Sequence, residues 1–253
     1  MIKDELITKL SGFFLFERWH PEIALRYLPI VKEIRDSGVE TLKILEVGSG
    51  GLGIAPYLKK PVTGVDINFR PPYFPLLKRV KASVTKLPFD NKTFDIVLSV
   101  DMLEHLDSYK RGRAIDEMVR VAREKVLIGV PCGEFSHRQD KVLYDYFKLH
   151  LGKSYDFFEE QIGFGLPDKE EIEKMISKSA KKFRREISLI IKGNENLKMR
   201  NFLMKGWMTE NPLKNFFFRK IMLFFIQFLL ILDKEPFYRQ LFFVKIKENE
   251  SSN

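Results

Sequence analysis

The sequence predicts an α/β protein built on a doubly wound open sheet. Three observations lead there. From residue 41 onward, apolar runs of strand length alternate with helical stretches. A glycine-rich turn joins the first of these runs to the first helix. FDIVLSV (94–100) and KVLIGVP (125–131) are continuously apolar, as strands covered on both faces of a parallel sheet are.

Ahead of the sheet, residues 21–36 place Ile23, Ala24, Tyr27, Leu28, Val31 and Ile34 on one side of a helix that packs on or caps it, within an N-terminal helical cap over 1–40. LKILEV (42–47) is the first strand, IAPYLKK (54–60) a short helix, and PVTGVD (61–66) and KRVKAS (78–83) the next two strands. Residues 108–122 form a helix with Ala114, Ile115, Met118, Val119 and Ala122 on one face. Helices follow over 138–151 and 168–179, the second with Asp168 as N-cap and Glu171 completing a capping box. EISLIIK (186–192) and QLFFVKIK (240–247) bring the strand count to seven, and the roughly fifty residues between them must hold structure of their own. The chain thus divides into a cap (1–40), a core (41–192), a basic aromatic helical insertion (193–239) and a last strand with a polar tail (240–253).

The 253 residues are 45% hydrophobic and 30% charged, which excludes collagen, coiled coil and wholesale disorder. Cys132 is the sole cysteine, so no intrachain disulfide or Cys-rich zinc module can form, and no metal is expected. The opening MIKDELITKLSGFFLF carries Asp4 and Glu5 where a secretory leader wants positive charge, so a cytosolic protein is expected, peripheral at most on the inner face of a membrane. The net charge of +9 lies in one place: residues 1–177 hold 27 basic and 27 acidic side chains, residues 178–253 hold 16 and 7.

The turn Glu46-Val47-Gly48-Ser49-Gly50-Gly51-Leu52-Gly53 fits G-x-G-x-x-G at Gly48, Gly50 and Gly53. Missing side chains let a ligand lie against the backbone at a helix N-terminus. Asp66 closes the next strand 18 residues after Gly48, where a carboxylate can accept both hydroxyls of a ribose. Together they predict nucleoside binding; a glycine turn alone is also a common tight connection. Glu46 suits a ligand carrying an ammonium or sulfonium and opposes a pyrophosphate, which disfavours NAD.

These residues carry a resemblance. ILEVGSGGLG (44–53) resembles motif I of class I S-adenosylmethionine-dependent methyltransferases, and GVDIN (64–68) their second motif. ASVTKLPF (82–89) is similar to their adenine-side segment, and FDIVLSVDMLEHLD (94–107) to the fourth strand and V-L-E-H turn of the methyltransferase 11 and ubiquinone-biosynthesis type. The resemblance spans residues 43–133. It implies a Rossmann-like, mostly parallel seven-stranded sheet whose last strand is antiparallel, and S-adenosyl-L-methionine as cofactor. By position it assigns Glu46, Gly48, Ser49 and Gly50 to the methionine and ribose side, Asp66 and Ile67 to ribose and adenine, Ser83 and Val84 to adenine, and Val100 with Asp101 to the methionyl part. Ser83 departs from the family, which commonly has an acid there; a hydroxyl accepts more weakly than a carboxylate.

Methyl transfer needs alignment of two reactants, with a base only for some acceptors. His137, in PCGEFSHRQD after the fifth strand, is the better candidate base for a hydroxyl; His105, after the fourth, reads first as a structural histidine. DYFKLHLGKSYDFFEEQ and GFGLPDKEEIEKM (145–175) have the loop chemistry of a lid or acceptor wall.

Between Phe216 and Leu232 only Arg219, Lys220 and Gln227 are polar. A helix there places those three and Lys234 within one broad side. Two readings of 213–239 stand level: an element lying in an anionic membrane surface, or a buried helix or homodimer contact. The aromatics come in blocks, not interleaved with charges, which disfavours nucleic acid. The sequence expectation is methyl transfer to a hydroxyl oxygen or carbon of a small or lipid-linked acceptor, with a noncatalytic membrane-associated module and an NAD-dependent oxidoreductase as the rival readings.

Overall fold

The computed structural model describes residues 20–38 and 41–247. The expected leaderless N-terminus, most of the expected cap and the polar tail after 247 lie outside the described residues. Helix α1 (Pro21–Arg35) precedes β1 (Ile44–Val47), α2 (Ala55–Leu58), β2 (Val62–Asp66), β3 (Leu77–Lys81) and β4 (Phe94–Val100). A 3₁₀ turn (Leu103–His105), α3 (Ser108–Val121), β5 (Ala122–Pro131), α4 (Glu134–Leu151), α5 (Asp156–Phe164) and α6 (Lys169–Lys182) follow. The chain then forms β6 (Ile187–Asn196), α7 (Leu197–Trp207), α8 (Pro212–Arg219), a second 3₁₀ turn (Ile221–Phe225), α9 (Ile226–Ile231) and β7 (Phe237–Ile246).

The seven strands lie in the order β3-β2-β1-β4-β5-β7-β6. The first five run parallel, and β7 is antiparallel to both β5 and β6. Every residue of β1 and β4 is buried, because helices cover both faces of the sheet. On one face Ala114, Ile115 and Met118 of α3 and Ile172 and Ile176 of α6 meet Leu45, Val97 and Phe242. On the other, Ala24, Ile30, Val31 and Ile34 of α1 and Ala55 of α2 meet Ile44, Ile96 and Leu98. The inward side of α1 is rotated from the expected one: Leu25 and Ile30 are buried while Ile23 and Leu28 are half exposed.

Polar side chains cap the N-termini of α3, α7 and α8. Asp107 accepts from Lys110 N at 2.9 Å to start α3, and Asn196 and Asn211 cap α7 and α8 in the same way. The capping box expected at α6 does not form. Asp168 occupies the N-cap position without a side-chain bond, and Glu171 Oε1 instead accepts from Ser108 Oγ at 2.8 Å.

Residues 156–164, within the expected lid or acceptor wall, are helix α5, packed through Phe158 against Leu143 and Phe147 of α4 and Met204 of α7. One further expectation is corrected. The apolar stretch after Leu213 is not one helix but three short pieces that break at Lys220 (φ −122°, ψ −51°). The break has a packing cause. Phe218 and Leu229 enter the same cluster with Leu25 and Leu203, whereas one straight helix would hold them about 16 Å apart at 1.5 Å per residue. The expected insertion limits of 193 and 239 fall inside β6 and β7.

Candidate active site

Gly48, Gly50 and Gly53 all have positive φ, at +78°, +56° and +55°, and two of them are held bare by near neighbours. A Cβ at Gly48 would lie 2.3 Å from Met102 Cγ, and one at Gly53 2.2 Å from Glu46 Oε2. The turn is tied to β2: Val65 O accepts from Gly48 N at 2.8 Å and from Ser49 N at 3.2 Å. Asp66 completes the link, its Oδ2 accepting from Gly50 N at 2.9 Å and its Oδ1 from Asn68 N at 3.0 Å. Each oxygen of that carboxylate keeps acceptor capacity for a ligand hydroxyl. Ile67, beside it, is 66% exposed, an apolar surface with nothing packed over most of it.

Glu46, at the end of β1, is completely buried. Its Oε1 accepts from Tyr27 Oη at 2.9 Å and its Oε2 from Ile54 N at 2.6 Å. Burial, only partly offset by those bonds, pushes its carboxyl up to about 7. A cation placed here would return it to the charged form.

At the end of β4, Asp101 has a positive φ of 49°. Arg239 of β7 grips its carboxylate with two prongs, Nε to Oδ1 at 2.5 Å and Nη2 to Oδ2 at 2.7 Å, and Arg26 of α1 adds a third bond at 2.8 Å. Arg239 also donates Nη1 to Asn194 Oδ1 at 2.9 Å and Glu195 Oε2 at 3.0 Å. Despite burial, the two guanidinium groups hold Asp101 below the usual carboxylate range. The side chain is therefore committed to the protein, and contact between Asp101 and a ligand falls to its backbone. Val100 is a buried strand residue beside it.

In the 3₁₀ turn, Glu104 is fully buried with neither oxygen hydrogen-bonded, and burial raises its carboxyl well above the ordinary value. His105 Nδ1 lies 2.9 Å from Glu160 Oε2 of α5, and its ring stands edge-on to Phe157 at 5.4 Å. Burial outweighs that carboxylate and lowers its pKa, leaving the imidazole neutral at pH 7. His137, half-buried in the first turn of α4, stands one strand further along. Ser83 follows β3, where its hydroxyl is engaged with Thr85, Oγ to Oγ1 at 2.9 Å, and Val84 is buried.

The strand order β3-β2-β1-β4 sets Ser83 and Val84, Asp66 and Ile67, the glycine turn with Glu46, and Val100 with Asp101 along one carboxyl edge of the sheet. Four neighbouring strands span roughly 14 Å at ~4.8 Å each, room for an extended nucleoside with an amino-acid tail. His105 and His137 stand beyond, after β4 and β5. Arg26, Tyr27 and Arg239 belong to this edge and were not legible in the sequence. Tyr27 reads there as core, and Arg26 and Arg239 give no spacing signal. The grooves along α6 and beside Lys125 and Lys245 are solvent-facing and do not involve these residues. Among the described residues no three His, Cys, Asp or Glu side chains gather as a metal site.

Residues 45–128 match the family model of a methyltransferase domain, about a third of the chain running from β1 into β5. A protein of Anabaena variabilis proposed to be a methyltransferase of an antibiotic biosynthesis pathway superposes with a TM-score of 0.52 at 15% identity, over 86% of this chain and 97% of that one. An S-adenosylmethionine-dependent methyltransferase of Thermotoga maritima, proposed to act on histamine, gives 0.52 at 15% identity over 96% and 97%. No curated protein matches the sequence. The fold is the class I, Rossmann-like methyltransferase architecture. Within it residues 45–128 match a methyltransferase domain, which marks the chain as an enzyme.

Proposed function

We propose that the protein transfers the methyl group of S-adenosyl-L-methionine to a hydroxyl oxygen or carbon of a small or lipid-linked acceptor. The observation that carries this reading is the linked trio of glycine turn, Asp66 and Glu46 inside the matched domain. The cofactor supplies an electrophilic methyl on a sulfonium. Asp66 accepts from the ribose hydroxyls while keeping its bonds to Gly50 N and Asn68 N. Ile67 lies under the adenine; Val84 and the backbone near Ser83 contact its edge. Gly48, Ser49, Gly50 and Gly53 let the methionine side approach the backbone. Glu46 faces its positive charge, and Val100 with the Asp101 backbone bounds it. The acceptor enters between the 3₁₀ turn, α4 and α5. His137 removes a hydroxyl proton, with His105, neutral and placed by Glu160, as the second candidate.

The test is calorimetric titration of the full chain and of Asp66→Ala with S-adenosylmethionine, S-adenosylhomocysteine and NAD. Binding of the first two, weakened by the substitution, is expected. Binding of NAD alone would replace the reading by an oxidoreductase, and no binding at all by a noncatalytic module.

A further inference from the structure

The short pieces between Pro212 and Ile231 use only part of their apolar surface to pack. Phe218, Met222, Ile226, Leu229 and Leu230 turn inward onto Leu25 and Leu203. Eight other large apolar side chains between Leu213 and Leu232 are exposed, from 44% at Phe217 to 83% at Phe224. At ~150–250 Å² for a fully exposed large side chain, they present on the order of 900 Å². That sum is spread over three consecutive short pieces, and it exceeds the few hundred Å² that a single apolar patch on a monomer ordinarily reaches. A helix that merely covered the sheet would not leave this surface.

Charge decides what fits it. From Asn211 to Leu232 there is no acidic residue, while Lys214, Arg219 and Lys220 are basic, within a final third holding 16 basic against 7 acidic side chains. A second copy docked through this face by two-fold symmetry would bring like charges together; anionic headgroups would meet them with the opposite sign. Helices of eight and six residues joined by a 3₁₀ turn are too short to cross a bilayer and suit lying in its plane. No helix among the described residues is long and apolar enough to span one.

We propose that this face docks on an anionic lipid bilayer, with Phe224, Phe225 and Phe228 among the upper acyl chains and Lys214 at headgroup phosphates. Docking is independent of the methyl-transfer reading, and failure of either leaves the other standing.

The test is co-sedimentation of the full chain with phosphatidylcholine vesicles, with and without phosphatidylglycerol. The double variant Phe224→Ser/Phe228→Ser is compared with Ile190→Ser, which removes a 59% exposed apolar side chain on edge strand β6. Thermal melts confirm that all remain folded. Binding is expected to favour the anionic vesicles, to weaken with salt, to fall about tenfold or more in the double variant and to persist in Ile190→Ser. Three results overturn the proposal: binding to neither vesicle, an unaffected double variant, or a lipid-free dimer that the double variant dissolves.

Discussion

Asp101→Asn probes the centre of the charge network that joins α1, β4 and β7. Arg239 is 1% exposed and Asp101 accepts three charged hydrogen bonds, two from Arg239 and one from Arg26. An asparagine retains one carbonyl acceptor, turns an amide donor toward guanidinium donors, and leaves Glu195 still in direct contact with Arg239. Removing one partner of a buried pair costs about 3–5 kcal/mol, a large part of the ~5–15 kcal/mol that holds a domain together. At ~2–4 °C per kcal/mol for a chain of this size, the melting temperature should fall by about 6–12 °C at the lower end of that cost. The pH dependence has a definite sign. The folded pKa of Asp101 is depressed, so its contribution is present above the unfolded value of about 3.9 and is lost as pH falls further. The gap between wild type and variant should therefore be full at pH 6 and narrow below pH 4. Urea unfolding at both pH values measures it. A loss under about 1 kcal/mol at pH 6, with an unchanged denaturant slope, would refute the reasoning by placing the pair with ordinary surface ion pairs.

Three further outcomes follow from the site. Glu46, raised to about 7 in the folded chain, binds its proton more tightly there than when unfolded, so stability should decline as pH rises from about 4.3 to 7; Glu46→Gln should flatten that decline in pH-dependent urea midpoints. Gly48→Ala, with φ +78° and Met102 Cγ 2.3 Å from the new Cβ, should weaken cofactor binding at least tenfold by calorimetry, whereas Gly112→Ala, where a Cβ meets nothing, should leave it unchanged. Once an acceptor is identified, His137→Asn should lower kcat by about 10²-fold or more if that histidine removes the proton; an unchanged kcat with a large loss in His105→Asn would move the role to His105.

Much of the architecture could be read from local pattern. The continuous burial of β4 follows the largely apolar run FDIVLSV, and the glycine turn and Asp66 announce themselves because backbone freedom and strand-end carboxylates require particular residues at particular places. These are short-range constraints, expressed within a few residues of one another. Other features depend on contacts between segments far apart in the chain. Arg26 and Arg239 meet Asp101 across separations of 75 and 138 residues, and no spacing rule encodes that meeting. Glu171 abandons its expected cap for Ser108, 63 residues away, because α6 packs beside α3. The apolar stretch after Leu213 has the periodicity of one helix, yet it breaks at Lys220 so that Phe218 and Leu229 can share one cluster. Its exposed phenylalanines are no less apolar than the buried ones. Composition set how much apolar surface this segment carries, and only tertiary packing decided which part of it remained in contact with water, because burial is a property of neighbours and not of a residue alone.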